Sequence, residues 1–351
     1  MLTSSVERIE DVALELSVRG HFGHHLHAAV DACVSMNRRQ YLSTAGGLAV
    51  VSSLAGCLGG VLGSDEGEQL PDDHRDEERA INRAVGKLNK AAVSIEGAES
   101  GLENPSEADF SPDEPQAFID TARSELESVE DSDIAQELDS YADVLEAMIG
   151  VLKTLTDDSL AADVEAVSAE IDGGDTSDAD DTLETRREET AEARRSYDGA
   201  METLDGLDRG RLEEHSIVDL DRVESGVETL GDVLGSVESL LSGYDSMLAG
   251  HESLEEGEKR FDAGEYERAA TAFESAADSF GDATETFADG ESDAPSGLAE
   301  YFENGRCQSG HLETAGAAFA DAATAADDGD IVDAQRSRSE GEDALEAAEN
   351  C

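Results

Sequence analysis

The sequence has no tryptophan, and its aromatic residues together make up 4% of 351 positions. A core built on large rings is therefore excluded, and packing must come from Leu, Val, Ile and Ala. Proline occurs five times, so almost nothing interrupts a helix over long stretches. Positive charge is scarce: 24 Lys and Arg stand against 84 Asp and Glu, a formal net charge of −60. Lys87, Lys90, Lys153 and Lys259 are the only lysines. This balance excludes nucleic acid as a partner, because phosphate repels it at moderate salt. Anionic headgroups repel it too, so membrane attachment needs a mechanism other than charge. An Asn-x-Ser/Thr acceptor is also missing, since Asn104-Pro105-Ser106 fails at its proline.

With 38% hydrophobic and 31% charged residues, the composition has the usual signature of disorder. Acid-rich, lysine-poor chains also resemble the proteins of salt-loving archaea. At about 1 M salt the Debye length is roughly 3 Å, so neighbouring surface carboxylates scarcely interact. Patterning separates the two readings. A disordered tract has no reason to keep its few apolar residues in register, and this chain keeps them in register.

The stretch that begins at Met36 reads like the start of a protein. Asn37-Arg38-Arg39-Gln40-Tyr41-Leu42 leads into an apolar run over residues 42–55 that carries no charge. At about 14 residues it is short of the roughly 17–25 that span a bilayer. Leu54-Ala55-Gly56-Cys57 closes it. A basic flank, a short apolar region and small residues before a fixed point make a secretory signal. The pair Arg38-Arg39 resembles a twin-arginine signal, and Leu54, Ala55, Gly56 and Cys57 resemble a lipobox. The resemblance implies that a translocase reads Arg38 and Arg39 and that Cys57 is lipidated as the first residue of the mature chain. An uncleaved N-terminal anchor helix is the competing reading. Both place the rest of the chain outside the cytoplasm at a membrane surface. Residues 1–35, with His21, His24, His25 and His27, are then expected to be an extension from an early start codon, residues 36–56 the signal, and 57–73 the lipidated cysteine and a flexible tether. A lipid on Cys57 supplies the membrane attachment that charge cannot, and stable anchoring takes two acyl chains.

Of the four cysteines, Cys33 precedes the expected start and Cys57 is assigned to lipid. Cys307 and Cys351 remain in the exported portion, where two spare cysteines read as a disulfide. It would tie residue 351 back to the start of the last helical hairpin; two free thiols at a frayed end are the alternative.

Beyond the tether nearly everything has helical period, and the expected fold class is all-α: an elongated bundle of long antiparallel helical hairpins over residues 74–250, then repeat-like hairpins over 251–351. The first helix, about 72–103, carries Ile81, Val85, Leu88, Ala92, Ile95 and Leu102 in alternating steps of four and three, with Glu99 as the one miss. Asn104-Pro105 stops it. Ser111 caps a second helix with Pro112 in its first turn; Phe118, Ile119, Ala122, Leu126 and Val129 are its apolar residues. The third seam is Ile134, Leu138, Tyr141, Leu145, Met148, Leu152 and Leu155. A kink or tight turn at 156–159 precedes Leu160, Val164, Val167 and Ile171. The next helix carries Leu183, Tyr197, Met201 and Leu204 on one side, with Arg186, Arg187, Arg194 and Arg195 on or near its others. The longest seam, Leu220, Val223, Val227, Leu230, Leu234, Val237, Leu241, Tyr244 and Leu248, holds a 3.5-residue period and predicts a supercoil against a partner helix. Gly226, Gly231, Gly235 and Gly243 lie off it, each costing about 1 kcal/mol of helix propensity, so packing must hold this helix together.

Gly257, Gly264, Tyr266, Ala269, Phe273 and Ala276 then fall at the spacing of a tetratricopeptide repeat, and this stretch resembles one such helical hairpin. The resemblance implies a surface that holds a protein or peptide. A large residue near the start of its first helix is missing, and Gly281 stands where a proline usually ends the unit. Phe273, Phe280 and Phe287 step by seven, so the second helix reads as longer than the family's. A Gly-acid-x-x-x-Ala echo recurs at Gly174…Ala179 and Gly329…Ala334. Leu298, Tyr301, Phe302, Leu312, Phe319, Ile331 and Leu345 mark the last hairpin.

No catalytic constellation emerges. Phosphate loops and nucleophile elbows are lacking, and His74, His215, His251 and His311 show no paired spacing. The acid clusters at 178–181 and 327–330 lack the spacing of a calcium loop. The reading is therefore a non-catalytic, membrane-anchored extracytoplasmic scaffold with no cofactor and no dedicated metal site. Capture of a small solute or metal ion is the alternative.

Overall fold

The computed structural model describes residues 72–99, 101–105, 108, 110–129, 132–157, 159–173, 176–214 and 219–351. Arg38, Arg39, Leu54, Ala55, Gly56 and Cys57 lie outside them, as do Gly174 and His215. Among the described residues every regular element is a helix: α1 (Asp72–Glu99), α2 (Asp113–Leu126), α3 (Asp133–Leu155), α4 (Ser159–Gly173), α5 (Thr176–Gly206), α6 (Arg209–Glu214), α7 (Leu220–Asp262), α8 (Tyr266–Glu291), α9 (Ser296–Asp327) and α10 (Ile331–Ala348). The chain is all-α over this span, and residues 72–351 form one compact unit.

The apolar stripes lie inside. On α3 all of Ile134, Leu138, Tyr141, Leu145, Met148, Leu152 and Leu155 are buried, and on α4 so are Leu160, Val164, Val167 and Ile171. The break between them is a true helix end, where the Thr156 amide and hydroxyl both donate to the Leu152 carbonyl. α1 ends at Glu99, a few residues earlier than the seam suggests, and the chain turns through 101–105. Ser111 does not cap α2. Pro112 occupies the N-cap position in helical geometry with no side-chain hydrogen bond; its ring fixes φ near the helical value, so the turn needs no hydroxyl.

The long seam belongs to a helix larger than itself. α7 runs for 43 residues, through residue 250, and ends at Asp262. No proline stops it, and Leu254 and Gly257 continue its buried side. It packs on α8 and α5, and also meets α9, α3, α1 and α4. A second buried stripe follows from that: Val233, Leu240, Met247 and Leu254, with Ser236, Gly243, Gly250 and Gly257 beside them at steps of seven. The glycines are places where an aromatic ring presses on the helix backbone. Gly243 faces Phe287, Gly250 faces Phe280 and Gly257 faces Phe273. Each step of seven forward on α7 matches a step of seven back on α8, so the two helices run antiparallel. A Cβ at Gly250 or Gly257 would lie 2.5 Å from the opposing ring. Gly231 takes Tyr197 in the same way. Phe280 and Phe287 are wholly buried, and each contributes up to about 3 kcal/mol of apolar transfer. That exceeds the roughly 1 kcal/mol of propensity lost at each glycine.

Two turns explain the recurring Gly-acid motif. After α7, Gly264 takes φ +74°; its amide donates to the Phe261 carbonyl and that of Glu265 to Arg260. After α9, Gly329 takes φ +78°, its amide donates to Ala326 and that of Asp330 to Ala325. This is the Schellman arrangement, which needs the left-handed conformation that glycine adopts freely. The following acid begins the next helix, and Asp330 accepts from the Asp333 amide as a true cap.

Scarce cations are used between helices. Arg194 makes two bonds to Glu238, at 2.9 and 2.6 Å, joining α5 to α7. Arg123 on α2 meets Asp139, Asp143 and Glu146 on α3. Arg186 departs from the polar-face expectation: its side chain is 8% exposed and meets Asp157, Asp163 and Glu189. Exposed pairs are worth about 0–1 kcal/mol each, so they select helix neighbours more than they hold them.

Candidate functional site

The one residue that breaks the apolar register of α1 marks the most site-like cleft. Glu99 sits at the end of α1 against α7, and its Oε1 atom is buried without a hydrogen-bond partner. Gly226 makes the room: a Cβ there would stand 2.5 Å from that oxygen. Gly226, off the long seam, is explained by this carboxyl. The cleft beside it, about 300 Å³, lies between α1, α3 and the start of α7. Ala92, Val93, Ile95, Leu145, Met148 and Val223 form its apolar wall, and Glu96, Asp219 and Arg222 its polar edge.

The electrostatics differ over a few ångströms. Arg222 pairs with Glu96 at the rim. Burial, with the Glu96 charge adding to it, pushes the Glu99 carboxyl up to about 7. Near neutral pH it is therefore divided between acid and carboxylate. Tyr141, on the floor of the cleft and wholly buried, is pushed above its usual range by burial and the Asp219 charge. It remains a phenol. The cleft offers an apolar wall, a titrating carboxyl and a rim ion pair, which suits binding. It brings together no nucleophile and base, and no histidine lines it.

The repeat-like residues gather in the α7–α8 hairpin. Gly257 faces Phe273, Gly264 forms the turn, and Tyr266 opens α8 with its ring edge-on to Phe261 at 5.1 Å. Ala269 and Ala276 are wholly buried. α8 continues past Gly281 to Glu291. No known protein family, curated protein or solved structure matches the chain.

Cys307 and Cys351 are joined in a disulfide, with Cα atoms 5.8 Å apart. His311, one turn along α9 from Cys307, completes a group whose ligand atoms all lie within 4.8 Å of one another. Sequence reasoning did not connect these three, although the Cys-x-x-x-His spacing on a helix was there to be read. His251 belongs to neither place. Its ring stands edge-on to Phe280 at 5.2 Å, its Nε2 is buried without a partner, and burial pushes it down to about 4. It is a neutral packing residue.

Proposed function

We propose that the protein is a lipid-anchored, extracytoplasmic, non-catalytic scaffold whose acidic surface is suited to high salt and whose C-terminal hairpins hold a protein or peptide. The address rests on Arg38, Arg39 and the Leu54-to-Cys57 motif. The observation that supports the scaffold reading is the α7–α8 hairpin, in which Gly257 faces Phe273, Gly264 forms the turn, and Ala269 and Ala276 are buried. Such hairpins keep their small and aromatic residues inside and present polar faces outward. No described helix is long and apolar enough to cross a membrane. This reading places attachment at a lipid on Cys57, from the Leu54-to-Cys57 motif. Affinity capture from membranes in molar salt tests it. Enrichment of a specific partner over an unrelated acidic lipoprotein supports the scaffold; none above that background removes it.

The Glu99 cleft favours a second reading, capture of a small solute. A carboxyl that titrates near neutrality beside an apolar wall suits a small amine with an apolar body. Thermal stabilisation by benzylammonium that Glu99→Gln abolishes would replace the scaffold reading with this one.

A further inference from the structure

We propose that Cys307, His311 and Cys351 form a metal site that opens when their disulfide is reduced, taking a thiolate-seeking ion such as Zn²⁺. Cys307 and His311 stand four residues apart on α9, on one face of the helix. Cys351 reaches them because α10 packs back along α9, with Ala344 and Ala348 buried and Gly341 placed over Phe319. All three side chains are exposed, so both a reductant and an ion reach them. Zinc bonds of about 2.3 Å to sulfur and 2.0–2.1 Å to nitrogen put one nitrogen and two sulfurs of a tetrahedral site roughly 3.5–3.8 Å apart. The nitrogen and sulfurs already lie within 4.8 Å of one another. Swinging the two sulfurs apart by side-chain rotation converts the bridge to a site, with one coordination position left open.

The chemistry balances. A dithiol reductant passes two electrons and two protons to the Cys307–Cys351 bond, giving two thiols and its own disulfide. The thiols then lose two protons as the divalent ion binds two thiolates and the neutral His311 ring. A disulfide oxidant reverses this by thiol–disulfide exchange: the ion leaves, the two thiolates give up two electrons as their sulfur–sulfur bond re-forms, and the oxidant takes those electrons and two protons to become a dithiol. Soft sulfur ligands discriminate against the hard ions that a carboxylate-rich surface gathers loosely. The proposal does not depend on the scaffold reading.

The test uses the full chain in molar KCl, oxidised or reduced by a phosphine under argon, titrated with Co²⁺. Thiolate-to-cobalt charge transfer absorbs strongly in the near ultraviolet, and carboxylate-bound cobalt does not. The reduced chain is expected to gain that band, saturating at one equivalent and bleached by Zn²⁺; the oxidised chain stays silent. His311→Ala leaves both sulfurs in place and should weaken binding roughly tenfold or more. If reduction lowers ellipticity, zinc should restore it in the parent and not in His311→Ala. A reduced, helical chain without the band, equal affinity in His311→Ala, or no zinc-dependent refolding of a reduced chain that has lost its helices overturns the proposal.

Discussion

Replacing Glu99 by Gln should stabilise the protein above neutral pH and leave it unchanged in mild acid. The buried Oε1 has no partner, and the carboxyl is pushed from 4.5 up to about 7 by burial and then by Glu96. Between those two values the folded chain holds this proton and the unfolded chain does not. Stability from this group therefore falls as pH rises through that window and is level above it. At about 1.4 kcal/mol for each tenfold change in proton affinity, the upper bound is about 3 kcal/mol. Glu99 is only half-buried, and solvent screening brings the expected figure to about 1–2 kcal/mol. Gln keeps the shape and never ionises. Urea unfolding of parent and Glu99→Gln in molar KCl, from about pH 5 to about pH 8, measures the difference directly. The pairing matters because every other carboxylate titrates in both proteins and cancels. A difference that does not change with pH, or a variant less stable than the parent at the alkaline end, would refute the reasoning: Glu99 would then be ionised and satisfied.

His251 should act in the opposite direction. Burial lowers it from 6.5 to about 4, so stability present above about 6.5 is lost as pH falls toward 4, and His251→Gln should remove about 2 kcal/mol of that acid sensitivity, read from the same titrations. Gly250→Ala places a methyl 2.5 Å from the Phe280 ring and should cost about 1–2 kcal/mol net, after overpacking is set against helix propensity. Gly150→Ala on α3 meets nothing within 4 Å and should stabilise by about 0.5–1 kcal/mol, so thermal melts of the two should move in opposite directions. Arg38→Lys with Arg39→Lys should hold the protein in the cytoplasm by fractionation, and normal export would remove the twin-arginine assignment. Dialysis to low salt should collapse the circular-dichroism helix signal of a chain with net charge −60, because unscreened carboxylates repel across every helix face; retained ellipticity would oppose adaptation to salt.

The sequence by itself determined that the regular elements of the described residues are helices, and which stripe of most of them is buried. Those facts depend on residues three and four apart, and the seams of α3, α4 and α7 were legible for that reason. The Gly-acid-x-x-x-Ala echo was legible too; that Gly264 and Gly329 form its turns was shown by their left-handed conformation. Only the tertiary structure decided what the exceptions are for. Gly243 reads as a cost along α7 and becomes a site of close approach once Phe287 is placed opposite; Gly250 and Gly257 take Phe280 and Phe273 in the same way. Glu99 reads as a lapse in a pattern until Gly226 and the wall of α3 enclose it. Arg186 reads only as a residue off the apolar side of α5 until α4 brings Asp163 to it. Cys307, His311 and Cys351 meet across a separation of 44 residues between the two cysteines. Period is a property of one helix and is written along it; the partner of each side chain is set by another helix, far away in the chain.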